Sequence, residues 1–295
     1  DPSAPYIDAL IADLKTSLQY VQGRSLISIF IGGGTPSLIA PNELERFLNF
    51  VQRNFSLAPD IEITLEANPG TVDTVHFKAY RSIGINRLSM GIQSFNDELL
   101  KRLGRIHNRA DAREAIQIAR ETFDNFNLDV MFALPGQTLS ELEFELSEAI
   151  ASESTHLSFY QLTLEPNTVF AKHVPEGMPE ADTVYQMQDL VSNTLESAGF
   201  EHYEVSGYAK PGLKCRHNLN YWQFGDYLAC GAGAHSKVSL PDGTILREAR
   251  YMQPESFIKH ALENSAVAHK RVVEIEDQPF EFMLNVLCLL YTSDA

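Results

Sequence analysis

A chain of 295 residues, 44% of them hydrophobic, is long enough for one large α/β domain with a smaller appendage, and too apolar for general disorder. Its net charge of −16, with no dense Lys/Arg run, argues against DNA or RNA as a partner, because neutralising phosphates takes a basic face. No apolar run approaches the ~20 residues of a membrane span, and the 3 cysteines, Cys215, Cys230 and Cys288, are too scattered for a disulfide framework or a local zinc site.

The opening residues, DPSAPYIDALIADL, read as an amphipathic helix without the basic n-region of a signal peptide, so the expected location is the cytoplasm. Segments 26–36 (LISIFIGGGTP), 61–70 (IEITLEANPG), 85–95 (INRLSMGIQSF), 126–136 (FNLDVMFALPG) and 157–167 (LSFYQLTLEPN) share one design. Each is a short apolar run ending in Gly, Pro or polar residues, the pattern of strands in a buried parallel sheet.

Helical patterns separate these runs. In 41–55, Leu44, Phe47, Leu48 and Val51 share one face. Helices are also predicted over 71–83, 96–104, 109–123 and 140–151. The last of these opens on Ser-x-Leu-Glu at Ser140. A longer helix, 182–199, ends on Gly199 as a C-cap. Strand and helix alternating with short joints imply right-handed crossovers in a barrel or open sheet, with functional groups where strands end.

Past residue 200 the texture changes. EHYEVSGYAKPG reads as one more strand running into a loop, and CRHNLNYWQFGDYLACGAGAHS is dense in aromatic residues, glycine and histidine. A hairpin is predicted around Pro241-Asp242-Gly243, then helices near 253–265 and 278–290. The domain boundary falls near 205, giving domains 1–205 and 206–295.

The unusual residues cluster at strand ends. Gly32, Gly33 and Gly34, followed by Thr35 and Pro36, form either a tight βα turn or a cradle that a ligand approaches closely; the motif is neither a P-loop nor a dinucleotide fingerprint. Glu66 can accept hydrogen bonds from ribose hydroxyls or an amine, and Gln93 can donate and accept. Asp129 lies in an apolar strand and needs a ligand or an arginine partner. Arg105 can clamp a carboxylate. Singly, each fits a structural hydrogen bond equally well. On successive βα ends they point to a small, polar, nucleotide-like cofactor. His217, in the HNLNYW run beside the only tryptophan, Trp222, is either a metal or haem-iron ligand or a core histidine satisfied by backbone, and composition favours the second. Gly231-Ala232-Gly233-Ala234-His235-Ser236 adds another small-residue turn with a histidine.

Taken in order, IFIGGGTPSL, EITLEANPG, NRLSMGIQSFND, LGRIH, NFNLDVMFALPGQT, YQLTLEPNT, CRHNLNYW and GAGAHS resemble the oxygen-independent coproporphyrinogen III oxidase family of radical S-adenosylmethionine proteins, in particular its haem-chaperone branch, from about residue 5 to about 287. The resemblance implies a partial (β/α)6 TIM-like barrel and a smaller C-terminal α+β domain. It implies S-adenosylmethionine contacts from Gly33, Gly34 and Thr35 at the methionine end and from Glu66, Gln93, Arg105 and Asp129, and haem on His217. Family members carry a [4Fe-4S] cluster on a CxxxCxxC loop after a first strand; this sequence starts past both, so no metal ligand is expected in it and the cluster would belong to a longer parent. Phe132 and Ala133 stand where the family more often has Tyr and Gly, and LCLLYTSDA departs from the pattern.

Three functions follow as alternatives: a haem chaperone with haem and a haem-accepting client protein as partners, a coproporphyrinogen oxidase that decarboxylates propionates, and a fragment without cofactor. LGRIH and CRHNLNYW read closer to the chaperone branch; whether the chain is an enzyme, and which residues would be catalytic, stays open.

Overall fold

The computed structural model describes residues 3–71, 74–164, 166 and 169–290. Its ten strands are β1 (Ser25–Ile31), β2 (Ser56–Ala67), β3 (Arg87–Gln93), β4 (Phe126–Phe132), β5 (His156–Gln161), β6 (Glu201–Glu204), β7 (Gly207–Ala209), β8 (His235–Ser239), β9 (Ile245–Arg250) and β10 (Val267–Val272). They form a seven-stranded sheet in the order β1-β2-β3-β4-β5-β7-β6 and a three-stranded sheet in the order β10-β9-β8. The fold is α/β, a partial barrel of the expected kind with a small antiparallel sheet. The five strands predicted from apolar runs are β1 to β5. Glu165, Asn167 and the terminal 291–295 lie outside the described residues, as do residues 72 and 73 in the predicted helix 71–83.

The chain divides into two compact units, one of residues 31–38 and 63–215, the other of 1–30, 39–62 and 216–295. In the first, β2 to β5 pair in parallel, with Thr64 opposite Arg87, Ser89 opposite Asn127, and Asn127 opposite His156. Alternation gives the strands two unlike faces. Leu88, Met90, Leu128, Val130, Leu157 and Phe159 are buried on one. Arg87, Ser89, Asn127, Asp129, His156 and Ser158 share the other. These strands are therefore not uniformly apolar, as their hydrophobic runs suggested.

The segment EHYEVSGYAKPG makes two strands rather than one. Val205 and Ser206 turn the chain back, β7 pairs antiparallel with both β5 and β6, and Ser158 lies opposite Gly207. The helix Leu139–Ala151 is capped by Thr138, whose hydroxyl accepts the Glu141 N–H while Glu141 reaches back to Thr138. The capping pair thus sits two residues ahead of Ser140. The helix Ala181–Ser197 ends as expected at Gly199, with Gly199 N–H donating to the Glu196 carbonyl (2.9 Å) and Phe200 N–H to that of Leu195 (3.1 Å), a Schellman closure.

In the other unit, the N-terminal helix Ser3–Ser17 buries Ile7, Leu10 and Leu14, and Tyr6 packs its ring 5.8 Å from Phe257 of the helix Pro254–Leu262. The helix Pro41–Asn54 buries Leu44, Phe47, Leu48 and Val51, the predicted face. β8 and β9 form the predicted hairpin, closed by Leu240, Asp242 and Thr244. Among the described residues no helix is long and apolar enough to cross a membrane.

Candidate functional site

The turn after β1 holds Gly33 and Gly34 at φ +83° and +59°, a backbone region that suits glycine, and a Cβ on either would meet nothing within 4 Å. Gly33 N–H donates to Glu66 Oε2 at 2.8 Å. Glu66, next to last in β2, is half-buried. Burial raises its pKa, the Gly33 N–H works against that rise, and the negative charge of Asp129 adds to it. Among the described residues Glu66 has no ion-pair partner.

Gln93 closes β3 at φ +67°, past a register shift that starts after Met90. Its Oε1 accepts the Tyr160 hydroxyl at 2.6 Å. The loop beyond it is clamped from the helix Leu139–Ala151: Ser94 Oγ donates to Glu145 Oε1 and Phe95 N–H to Oε2 (2.7 Å). Burial pushes Glu145 up to about 7 despite these bonds. His107 of LGRIH ties its Nε2 to the Ile92 carbonyl at 2.9 Å. Arg105 lies exposed on the turn before it, and its guanidinium forms no ion pair among the described residues.

Asp129 finds partners in its own sheet rather than an arginine clamp. Asn127 Nδ2 donates to Oδ1 at 2.8 Å and Ser89 Oγ to Oδ2 at 3.1 Å. Burial raises its pKa, opposed by the hydrogen bonds from Asn127 and Ser89 and by the charge of Arg87.

Tyr160 of β5, the first residue of YQLTLEPNT and not singled out as a site residue, is where these residues meet. It bonds Gln93, and the charges of Asp129, Arg105 and Glu66 all act on its phenol, which burial pushes up to about 12. The structure thus brings Gly33, Glu66, Gln93, Arg105 and Asp129 to one neighbourhood, with Gly34 and Thr35 on the same turn. A sequence signal for the unflagged residues did exist: polar positions recur with period two at Arg87/Ser89, Asn127/Asp129 and His156/Ser158. Only the strand register puts them on one face. Just past β4, Ala133 sits at φ +57°, the conformation for which a glycine is the unstrained choice.

His217 lies in the other unit, on the short helix Arg216–Trp222. Glu62 accepts the N–H groups of Arg216 (3.1 Å) and His217 (3.3 Å), and the Arg216 guanidinium pairs with Asp60 at 2.5 Å. The His217 ring stacks on Phe30 of β1, centroids 4.5 Å apart and planes at 23°. Tyr221 meets Trp222 edge-on at 5.0 Å and remains partly exposed.

The GAGAHS turn is closed. Gly231 N–H donates to Asp13 (3.3 Å) and Ala232 N–H to the Tyr6 hydroxyl (3.2 Å), while Asp13 pairs with the buried Arg250 at 3.2 Å. Burial raises Cys230 beneath it to about 12, so that thiol stays protonated. His235 begins β8 as an exposed residue.

The Radical SAM superfamily model matches residues 10–147. The heme chaperone HemW of Escherichia coli (strain K12) is 45% identical over 98% of this chain and 75% of that relative. The heme chaperone HemW of Haemophilus influenzae is 46% identical over 98% and 76%. The chain belongs to the HemW family. In architecture it matches the coproporphyrinogen III oxidase HemN from Escherichia coli, described as a radical SAM enzyme, with TM-score 0.82 over 97% of this chain and 69% of that one, at 21% identity, a likeness of fold alone.

The superfamily to which HemW proteins belong implies S-adenosylmethionine and a [4Fe-4S] cluster. The described residues fit the first: a Cβ-free cradle at Gly33 and Gly34 stands beside two carboxylates and an unpaired guanidinium. They do not fit the second. Cys215, Cys230 and Cys288 are not joined in disulfides and do not form a cluster, and no group of three or more His, Cys, Asp or Glu able to hold a metal ion occurs among the described residues.

Proposed function

We propose that the chain acts in the cytoplasm as a radical S-adenosylmethionine haem chaperone, holding haem through His217 and passing it to a client protein. Similarity to heme chaperones along nearly the whole chain supports this reading, and the convergence of Glu66, Gln93, Arg105 and Asp129 on Tyr160 supports its S-adenosylmethionine site. That ligand, when bound, supplies a sulfonium cation, ribose hydroxyls and an amino-acid end. Gly33, Gly34 and Thr35 receive the amino-acid end, where the bare turn admits it closely. Glu66 and Asp129 accept from hydroxyl or ammonium donors, Gln93 does so with its orientation set by Tyr160, and Arg105 faces the carboxylate. We assign this ligand to domain 1–205 and haem to domain 206–295. His217 would ligate the iron from a helix that Glu62 and Asp60 fasten to its own unit. No observation of the site favours the oxidase reading, since likeness to an oxidase extends to the fold only.

Haem titration followed by absorbance tests this. The parent chain should show a Soret shift, and His217→Ala should bind at least about tenfold more weakly, a loss of ~1.4 kcal/mol, at an unchanged melting temperature. A parent without a Soret shift overturns the haem site; equal affinity in the variant removes His217 as the ligand.

A further inference from the structure

Behind Asp129 runs a chain of buried polar groups that the proposed function does not use. His156 Nδ1 lies 2.7 Å from Asn127 Oδ1, and His156 Nε2 lies 2.8 Å from the Tyr203 hydroxyl. The Tyr203 oxygen accepts the backbone N–H of Cys215 at 3.3 Å. His156, Asn127 and Tyr203 are all buried.

The chemistry of each link fixes the direction of the next. An ionised carboxylate only accepts, so the Asn127 amide turns its Nδ2 to Asp129 and to Ser89 Oγ (both 2.8 Å). Its Oδ1 is left facing His156, with Ser158 Oγ as a second donor at 3.1 Å. An amide oxygen only accepts, so the His156 proton sits on Nδ1. Nε2 of the neutral ring is then an acceptor, and Tyr203 must donate its only proton there. The phenolic oxygen is free to accept from Cys215. Every donation, from Cys215 to Tyr203 to His156 to Asn127 to Asp129, runs the same way and ends on the carboxylate, so the dipoles reinforce one another. Arg87, buried against this chain, opposes protonation of His156 and favours the ionised Asp129.

We propose that Tyr203, His156 and Asn127 are positioning residues, a one-way hydrogen-bond chain that fixes how the Asp129 carboxylate presents itself to S-adenosylmethionine. This rests on the reading of Asp129 as a contact of that ligand. Without the Tyr203 hydroxyl, Nε2 of His156 loses its donor, the Nδ1–H bond to Asn127 is no longer reinforced, and the Asn127 amide donates less strongly to the carboxylate and holds it less firmly.

The test compares the parent chain with Tyr203→Phe, which keeps the ring and its packing. Nitrogen-15 spectra of labelled histidine should show His156 as the neutral Nδ1–H tautomer, without titration, from pH 6 to 8. The Nε2–H tautomer or a titrating ring in the parent overturns the chain directly. In equilibrium dialysis, Tyr203→Phe should bind S-adenosylmethionine about five- to tenfold more weakly, the size of one lost hydrogen bond, with the Soret titration unchanged. Equal affinity overturns the positioning role. A parent that shows the tautomer but binds no S-adenosylmethionine overturns the ligand reading instead. The chain is then judged by the Asp129 carboxyl carbon, whose titration midpoint must rise in Tyr203→Phe; an unmoved midpoint overturns it.

Discussion

Two glycine turns in this molecule lean on a carboxylate, and they differ in what surrounds it. Gly231 donates to Asp13, and a Cβ there would come within 3.2 Å of the Tyr6 hydroxyl and 3.4 Å of Leu10. Asp13 is matched by Arg250, which is also held by Ser236 (2.7 Å) and Ser17 (3.2 Å). Gly33 donates to Glu66, but among the described residues no cation pairs with Glu66, Asp129 adds like charge, and the space beside the turn is open. A buried acid with its counter-charge built in belongs to the architecture. A half-buried one left without it, beside a bare turn, is the arrangement expected where a ligand brings the balancing charge, as proposed above. Composition alone makes the two turns look alike.

The largest expected effect breaks the closed turn. Arg250→Met leaves Asp13 buried and unpaired and should lower stability by ~3–5 kcal/mol, read as a melting-temperature drop that Asp13→Asn in the same chain largely restores. An unaffected melting temperature would mean that the pair does not hold the Gly231 turn, and the contrast would fail. Next comes the open turn. Gly34→Val puts a side chain where nothing stands now and should weaken S-adenosylmethionine about a hundredfold, or ~2.7 kcal/mol, against a backbone strain of only ~1–2 kcal/mol. Undiminished affinity, measured by dialysis, would place the ligand elsewhere. The smallest effect is on pH. Because the pKa of Glu66 is raised, its ionised form is lost at a higher pH than for an exposed glutamate. S-Adenosylmethionine affinity should fall a few-fold from pH 8 to 5, and Glu66→Gln should be weak and flat across that range. The same shift makes the empty site more favourable to folding below the unfolded pKa of Glu66, an advantage lost as pH rises through the folded value.

Much of the scaffold was legible because its signals are local. The buried face of the helix Pro41–Asn54, the Gly199 closure and the five apolar strands each need only a short window of sequence. Of the site, the strand-end residues were legible and their arrangement was not. Tyr160 lies 67 residues from Gln93, and His156 meets Asn127 only because β5 is in register with β4. No local pattern carries that register. The cap falls on Thr138 rather than Ser140 because it is the Glu141 carboxylate that turns back to the Thr138 N–H, which the Ser-x-Leu-Glu pattern does not show. The single strand expected in EHYEVSGYAKPG became two because Val205 and Ser206 reverse the chain into Gly207, where a Cβ would collide with Glu204 Oε1; the Ser206-Gly207 pair was the turn signal.

That reversal bears on the order in which the protein assembles. β6 and β7 can find one another across two residues, whereas β7 reaches β5 only after closing a loop of some 45 residues, an entropic cost of roughly 3 kcal/mol. Loop closure thus favours pairing of β6 with β7 before their docking on β5, and Tyr203, next to last in β6, reaches His156 only with that docking.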